Sequence, residues 1–204
     1  RAILEVGVVH QHVVALEIAD LDRDLARTEP DPEIHQLIYD SAGLNLALDY
    51  LPGSVSFDPA VHTMDPALAS RIVWFDAFVS NVDRSARNTN MLMWHRKPWL
   101  IDHGATLYFH HSPGWEQDAA RARAGFPLIK DHVLLKHASA LEAADAVITA
   151  TLTRGVIDDI LAKVPEEWYA GESDAATLRA AYARYFEERL EAPRSFVREA
   201  IDAR

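Results

Sequence analysis

Apolar positions along the chain fall into two regimes. Up to residue 52 they favour extended backbone, and from residue 65 they recur at helical spacing. Val6 to Ile18 is dense in β-branched residues (Val6, Val8, Val9, Val13, Val14, Ile18) and predicts strand. The polar stretch Asp20 to Asp31 predicts a surface loop running into Glu29-Pro30-Asp31-Pro32. A short helix is expected over Glu33 to Ser41, closed by Gly43, then a strand or extended connector over Leu44 to Leu51, stopped by Pro52-Gly53. Asp65 followed by Pro66 is a helix start: the aspartate accepts from free backbone N–H groups, and proline stands where no N–H is needed. Leu68, Ile72, Phe75 and Val79, widened by Val73 and Phe78, give that helix an apolar stripe. A polar loop, Ser80 to Asn90, leads into a predicted hairpin of Met91–Trp94 and Trp99–Ile101 around His95-Arg96-Lys97-Pro98. The remainder predicts helices near 115–124, 139–151, 153–163 and 174–203, the last capped by Ser173 or Asp174 and interrupted by Pro193. Strands early and helices late predict an α+β fold.

Composition narrows the picture. The 204 residues carry a formal charge of −11, which disfavours a broad grip on nucleic acid or anionic lipid. With no cysteine there are no disulfides, thiolate nucleophiles or cysteine-ligated zinc. No uncharged run has the roughly 20 residues of a membrane helix, and the start shows no signal-peptide pattern, so the expectation is a cytoplasmic protein with no membrane insertion. Ten histidines raise zinc hydrolysis as a possibility, but His103, His110 and His111 form no H-E-x-x-H or comparable spacing. Trp74, Trp94 and Trp99 are expected in the core, and Trp115 and Trp168 half exposed.

The candidate chemistry lies between residues 76 and 104. Pairing Trp94 with Trp99 across the turn sets Met91 opposite Asp102, which brings Asn88 and Asn90 close to Asp102, with Asp83 on the loop just before. Asparagine and aspartate are also what ordinary turns use. Here two carboxylates and one or two amide oxygens converge on one end of a ribbon, with Asp102 expected to be buried behind Trp99-Leu100-Ile101. Such oxygen ligands suit Mg²⁺, which takes one or two carboxylates and fills its shell with phosphate oxygens.

Asn81-Val82-Asp83-Arg84 followed by Asn88, together with Ile101-Asp102-His103-Gly104 after a short hairpin, resembles the catalytic loop and metal-binding motif of HipA-like kinases, relatives of the phosphatidylinositol kinases. The resemblance covers about residues 40 to 204 and implies a protein-kinase-like fold that uses ATP and Mg²⁺ to phosphorylate a hydroxyl acceptor, a protein or a small molecule. It implies residues 1–52 as a partial N-lobe and hinge and 53–204 as a helical C-lobe. By motif, Asp83 resembles the catalytic base, Asn88 the amide metal ligand and Asp102 the aspartate of the D-F-G element, while Asp76 resembles a carboxylate that braces the catalytic loop. Leu44 to Gly53 is similar to the hinge that bonds adenine, which assigns Leu48, Asp49 and Tyr50 to nucleotide binding. Arg84 is assigned there too, with a structural brace as its alternative; the same pair of readings applies to Arg87.

The chain departs from the family in its first half. There is no Gly-rich phosphate loop, no lysine precedes Lys97, and Glu5 is the one candidate for the glutamate that would hold such a lysine. The chain starts with Arg and reads as a processed or partial sequence, since family members have longer N-terminal regions. The competing expectation is a pseudokinase-like nucleotide-binding or regulatory module without turnover. A third is a metal-dependent phosphohydrolase that uses water as acceptor.

Overall fold

The computed structural model describes residues 16–48, 50–169 and 174–204. Most of the β-branched stretch therefore lies outside the described residues, and its end, Leu16–Leu21, is strand β1. The chain divides into two compact units, one ending at Leu51 and the other running from Pro52 to Arg204.

In the first unit the polar stretch contains a turn of 3₁₀ helix, Arg23–Thr28, where an open loop was expected. Asp22 caps it by accepting from the Asp24 N–H at 2.9 Å, which is why this polar run closes on itself. Helix α1, Pro32–Asp40, lies where a short helix was expected, and it starts one residue earlier because Asp31 accepts from Glu33 and Ile34 and Pro32 sits at the first helical position. Strand β2, Gly43–Leu48, pairs antiparallel with β1 from Leu16↔Leu48 to Leu21↔Gly43. The Arg23 guanidinium lies 4.7 Å over the Tyr39 ring. None of the α1 residues is buried, and Leu37 is 66% exposed.

The second unit is built on helix α2, Pro66–Phe78, which starts as the sequence predicts, with Asp65 accepting from the Leu68 N–H at 2.9 Å. Its Ala69, Ile72, Val73, Trp74, Ala77 and Phe78 are all buried, so the helix is apolar over far more than one stripe and runs through the core. Around it pack the later helices: α3, Ala119–Arg123; α4, Leu141–Thr151; α5, Arg154–Leu161; α6, Ala175–Leu190; and α7, Ser195–Ala203. Trp74 stacks on Phe78 at 5.1 Å and meets the edge of Phe196 of α7 at 5.4 Å. Its Nε1–H donates to Asp145 of α4, whose two oxygens also take a fork from Arg194 at 2.7 and 2.6 Å. Asp174 caps α6 through Thr177. Pro193 interrupts the long C-terminal helix as predicted, separating α6 from α7 at a cis Ala192–Pro193 bond. The helix expected over 115–124 is instead a 3₁₀ turn, Trp115–Gln117, followed by the short α3.

A three-stranded antiparallel sheet completes this unit: β3, Val55–Ser56; β4, Met91–Trp94; and β5, Lys97–Leu100. Its hairpin corrects the expected register. His95 and Arg96 both take left-handed backbone (φ 48° and 64°), the two-residue turn whose twist matches that of paired strands. Trp94 therefore pairs with Lys97, and Met91 faces Leu100 rather than Asp102. Trp94 and Trp99 are diagonal neighbours, with ring centroids 5.6 Å apart. Both are half-buried on this outer ribbon instead of in the core, while Trp115 is buried under Tyr182 and Phe109. Among the described residues, no helix is long and apolar enough to cross a membrane.

Candidate active site

The loop after α2 is positioned from below. A helix leaves its last carbonyls without partners, and here those of Ala77 and Phe78 are met by the buried guanidinium of Arg189 on α6, at 2.7 Å each. The same side chain also donates to Ala122 and Ala124, so a single cation ties the exit of α2 to α3 and α6. Beyond it, Leu107 N–H donates to Val79 O and Val82 N–H to Ala105 O, laying residues 79–82 alongside 105–107.

One carboxylate organises the turn that follows. Asp76, fully buried on α2, accepts from Asn81 Nδ2 at 2.9 Å on one oxygen and from Arg84 Nε at 2.6 Å on the other. A third donor, His132 Nε2, reaches that second oxygen at 2.9 Å from a remote segment. Burial pushes the Asp76 carboxyl up, but the His132 bond, the Arg84 charge and the Asn81 bond outweigh it and hold the group below the usual carboxylate range.

This brace sets the Asp83 side chain. Asn81 Oδ1 accepts the Asp83 N–H at 3.1 Å. Asn88 Nδ2 donates to Asp83 Oδ2 at 2.8 Å, and Asn90 Nδ2 reaches the same oxygen at 3.1 Å and the Asp83 carbonyl at 2.7 Å. Arg84 closes the ring by donating through Nη1 to the Asn90 and Thr89 carbonyls. Half-buried Asp83 is thus fixed by its neighbours before any ligand arrives.

Asp102 is held differently. Ile101 N–H donates to Asn90 O at 2.9 Å, which sets Asp102 one residue beyond the Asn90 contact despite the shifted register. It is exposed, contrary to the expectation that Trp99-Leu100-Ile101 would bury it, because its left-handed backbone (φ 48°) turns it away from the ribbon. Its Oδ1 accepts the Gly104 N–H at 3.3 Å. A Cβ at position 104 would lie 3.3 Å from that oxygen, so glycine leaves it room. His103 turns inward, its ring edge-on to Phe75 at 6.1 Å, and desolvation followed by the Arg84 charge pushes its imidazole below the usual range.

The chain matches no family model, no curated protein and no solved structure. The geometry therefore carries the functional reading. The structure brings Asp83, Asn88 and Asn90 together and sets Asp102 on the adjoining turn. Of the two readings of Arg84, its burial against Asp76, with the side chain wholly inaccessible, matches the brace. Arg87 is exposed. Leu48 ends β2 and Tyr50 is exposed, both in the first unit, while Asp49 lies outside the described residues. Asn90, which the sequence already sets beside Asn88, donates to Asp83. One contributor has no counterpart in the sequence analysis: His132 reaches Asp76 across 56 positions and left no local signal.

The donors suit a hard cation. The acceptors offered by Asp83, Asn88 and Asp102 are oxygens. Among the described residues no three His, Asp or Glu side chains group closely enough to hold a metal ion by themselves. One or two carboxylates with an amide is the protein share that Mg²⁺ accepts when phosphates complete its shell.

Proposed function

We propose that this chain is a HipA-like kinase, with a protein-kinase-like arrangement of the second unit, that transfers the γ-phosphoryl group of ATP to a hydroxyl acceptor. The observation that carries the reading is the closed hydrogen-bond set around Asp83, in which two amide N–H groups occupy Oδ2 and leave Oδ1 for an incoming proton. A carboxylate so fixed is suited to general-base work, which depends on geometry before pKa. The acceptor oxygen attacks the γ-phosphorus, its proton passes to Asp83, and the bond to the β-phosphate oxygen breaks to release ADP. Asn88 and Asp102 would hold Mg²⁺, which when bound neutralises charge on the phosphates. Asp76, Arg84 and Asn81 keep Asp83 in place.

A second reading, a nucleotide-binding module without turnover, draws on the inward turn of Arg84. Calorimetric titration of ATP with Mg²⁺ and with chelator, followed by incubation with γ-labelled ATP, separates the two. Mg²⁺-dependent binding with label transferred to the chain or to an added hydroxyl acceptor supports the kinase. Binding without transfer supports the module, and absence of binding in both conditions overturns both.

A further inference from the structure

The segment after the 3₁₀ turn Pro127–Asp131 grips the catalytic loop twice. On the main chain, Ser85 and His132 form an antiparallel bridge, and Val133 N–H donates to Arg84 O at 3.0 Å. Through side chains, His132 Nε2 meets Asp76 Oδ2 at 2.9 Å, with 2% of the imidazole exposed. The other ring nitrogen is committed as well, because Nδ1 lies 3.0 Å from the Leu134 N–H. A backbone N–H can only donate, so Nδ1 is the acceptor and the proton of the neutral ring sits on Nε2, aimed at Asp76.

The interior around Asp76 favours such a neutral donor. Asp76 and Arg84 already form a buried pair of opposite charges with both side chains fully inaccessible. A third donor that brought its own charge would leave that charge uncompensated away from water. A neutral imidazole adds the bond without the charge. From Asp76 the constraint passes through Asn81 to the Asp83 N–H, and through Arg84 and Asn90 to the Asp83 carboxylate.

We infer that His132, as the neutral Nε2–H tautomer fixed by Leu134, is a positioning residue for Asp83, orienting the Asp76 carboxylate on which the catalytic loop hangs. This role rests on the reading of Asp83 as base. The test has one readout that does not need turnover. Long-range ¹H–¹⁵N spectra of the imidazole should give the Nε2–H tautomer at neutral pH, and the Nδ1–H tautomer would overturn the inference. His132→Phe keeps a ring and removes both bonds, whereas His132→Gln keeps an amide N–H within reach of Asp76. His132→Phe should shift the side-chain amide signals of Asn81, Asn88 and Asn90. It should also lower kcat about 10–100-fold, the size typical of losing a partner behind the reacting groups, with KM for Mg·ATP within about twofold. His132→Gln should restore most of both. Unmoved amide signals in His132→Phe, or a kcat loss that glutamine does not rescue, would overturn the role. If His132→Phe fails to fold, the amide signals of His132→Gln decide: wild-type positions support the role and displaced ones overturn it. A wild-type chain without turnover would sink the kinase reading, and the tautomer and amide signals would still decide the positioning.

Discussion

Asp83 and Asp102 are the two carboxylates of one candidate site, and they are prepared in opposite ways. Asp83 is half-buried, with its N–H, its carbonyl and one carboxylate oxygen all engaged by asparagines. Asp102 is exposed on a left-handed turn, held by its own neighbour Gly104. A group that must meet a reacting hydroxyl in one orientation gains from being fixed in advance, because no ordering is left to the moment of reaction. A group that meets a cation arriving with phosphates gains from exposure, since desolvating an unpartnered carboxylate beforehand would be costly. The contrast in burial parallels the contrast in proposed roles.

Removing Asp83 should break the comparison most severely. Asp83→Ala is expected to lower the rate of phosphoryl transfer by about 10²–10⁴-fold while leaving Mg·ATP affinity close to wild type. Transfer at the wild-type rate in a quench-flow or label-transfer assay would reject its role as base. Next is the brace. Asp76→Ala leaves buried Arg84 without its counter-charge and should cost about 3–5 kcal/mol in urea unfolding. The same carboxylate gives a pH signature. Its folded pKa is depressed, so its contribution is present above the unfolded value of about 3.9 and is lost as pH falls through the folded value. Stability of the wild-type chain should decline below about pH 4 more steeply than that of Asp76→Asn.

Neutralising the exposed partner sharpens the comparison from the other side. Asp102→Asn should weaken Mg·ATP binding by roughly tenfold, about 1.4 kcal/mol, with global stability within about 0.5 kcal/mol. Unchanged affinity by calorimetry would remove Asp102 from the metal set. The smallest effect lies away from the site. Burial pushes the Tyr182 hydroxyl up to about 12, so the folded state favours its neutral form, and that stabilisation fades as pH rises from about 10 toward 12. Phenolate absorbance compared with Tyr182→Phe should assign a titration in that window to this residue, and a normal tyrosine titration would show that it is not desolvated.

What could be read from the sequence follows the range of the interactions. The Asp65–Pro66 start of α2, the cap at Asp174 and the break at Pro193 are all decided within a few residues, and each stands where expected. The grouping of Asp83 with Asn88 also lies within one loop, separated by five positions. The hairpin register was harder, because His95 and Arg96 in left-handed backbone are an uncommon choice for a tight turn and no Asn-Gly or Asp-Gly marks it. The direction of Arg84 depended on a carboxylate on the preceding helix, and that of His132 on a chain crossing no local pattern encodes. The burial of Trp115 likewise depended on Tyr182, far along the chain.

Arg189 also has a consequence in time. The carbonyls of Ala77 and Phe78 stand 112 and 111 positions ahead of the guanidinium that satisfies them. On a ribosome adding about 5–20 residues per second, these groups leave the tunnel on the order of ten seconds before their partner exists. Throughout that interval the Phe78 carbonyl at the exit of α2 must rely on water for its hydrogen bond, while Ala77 O has the Ser80 N–H at 3.3 Å. The loop after α2 is among the earlier parts of this unit to be synthesised, and its anchor at Arg189 is among the last.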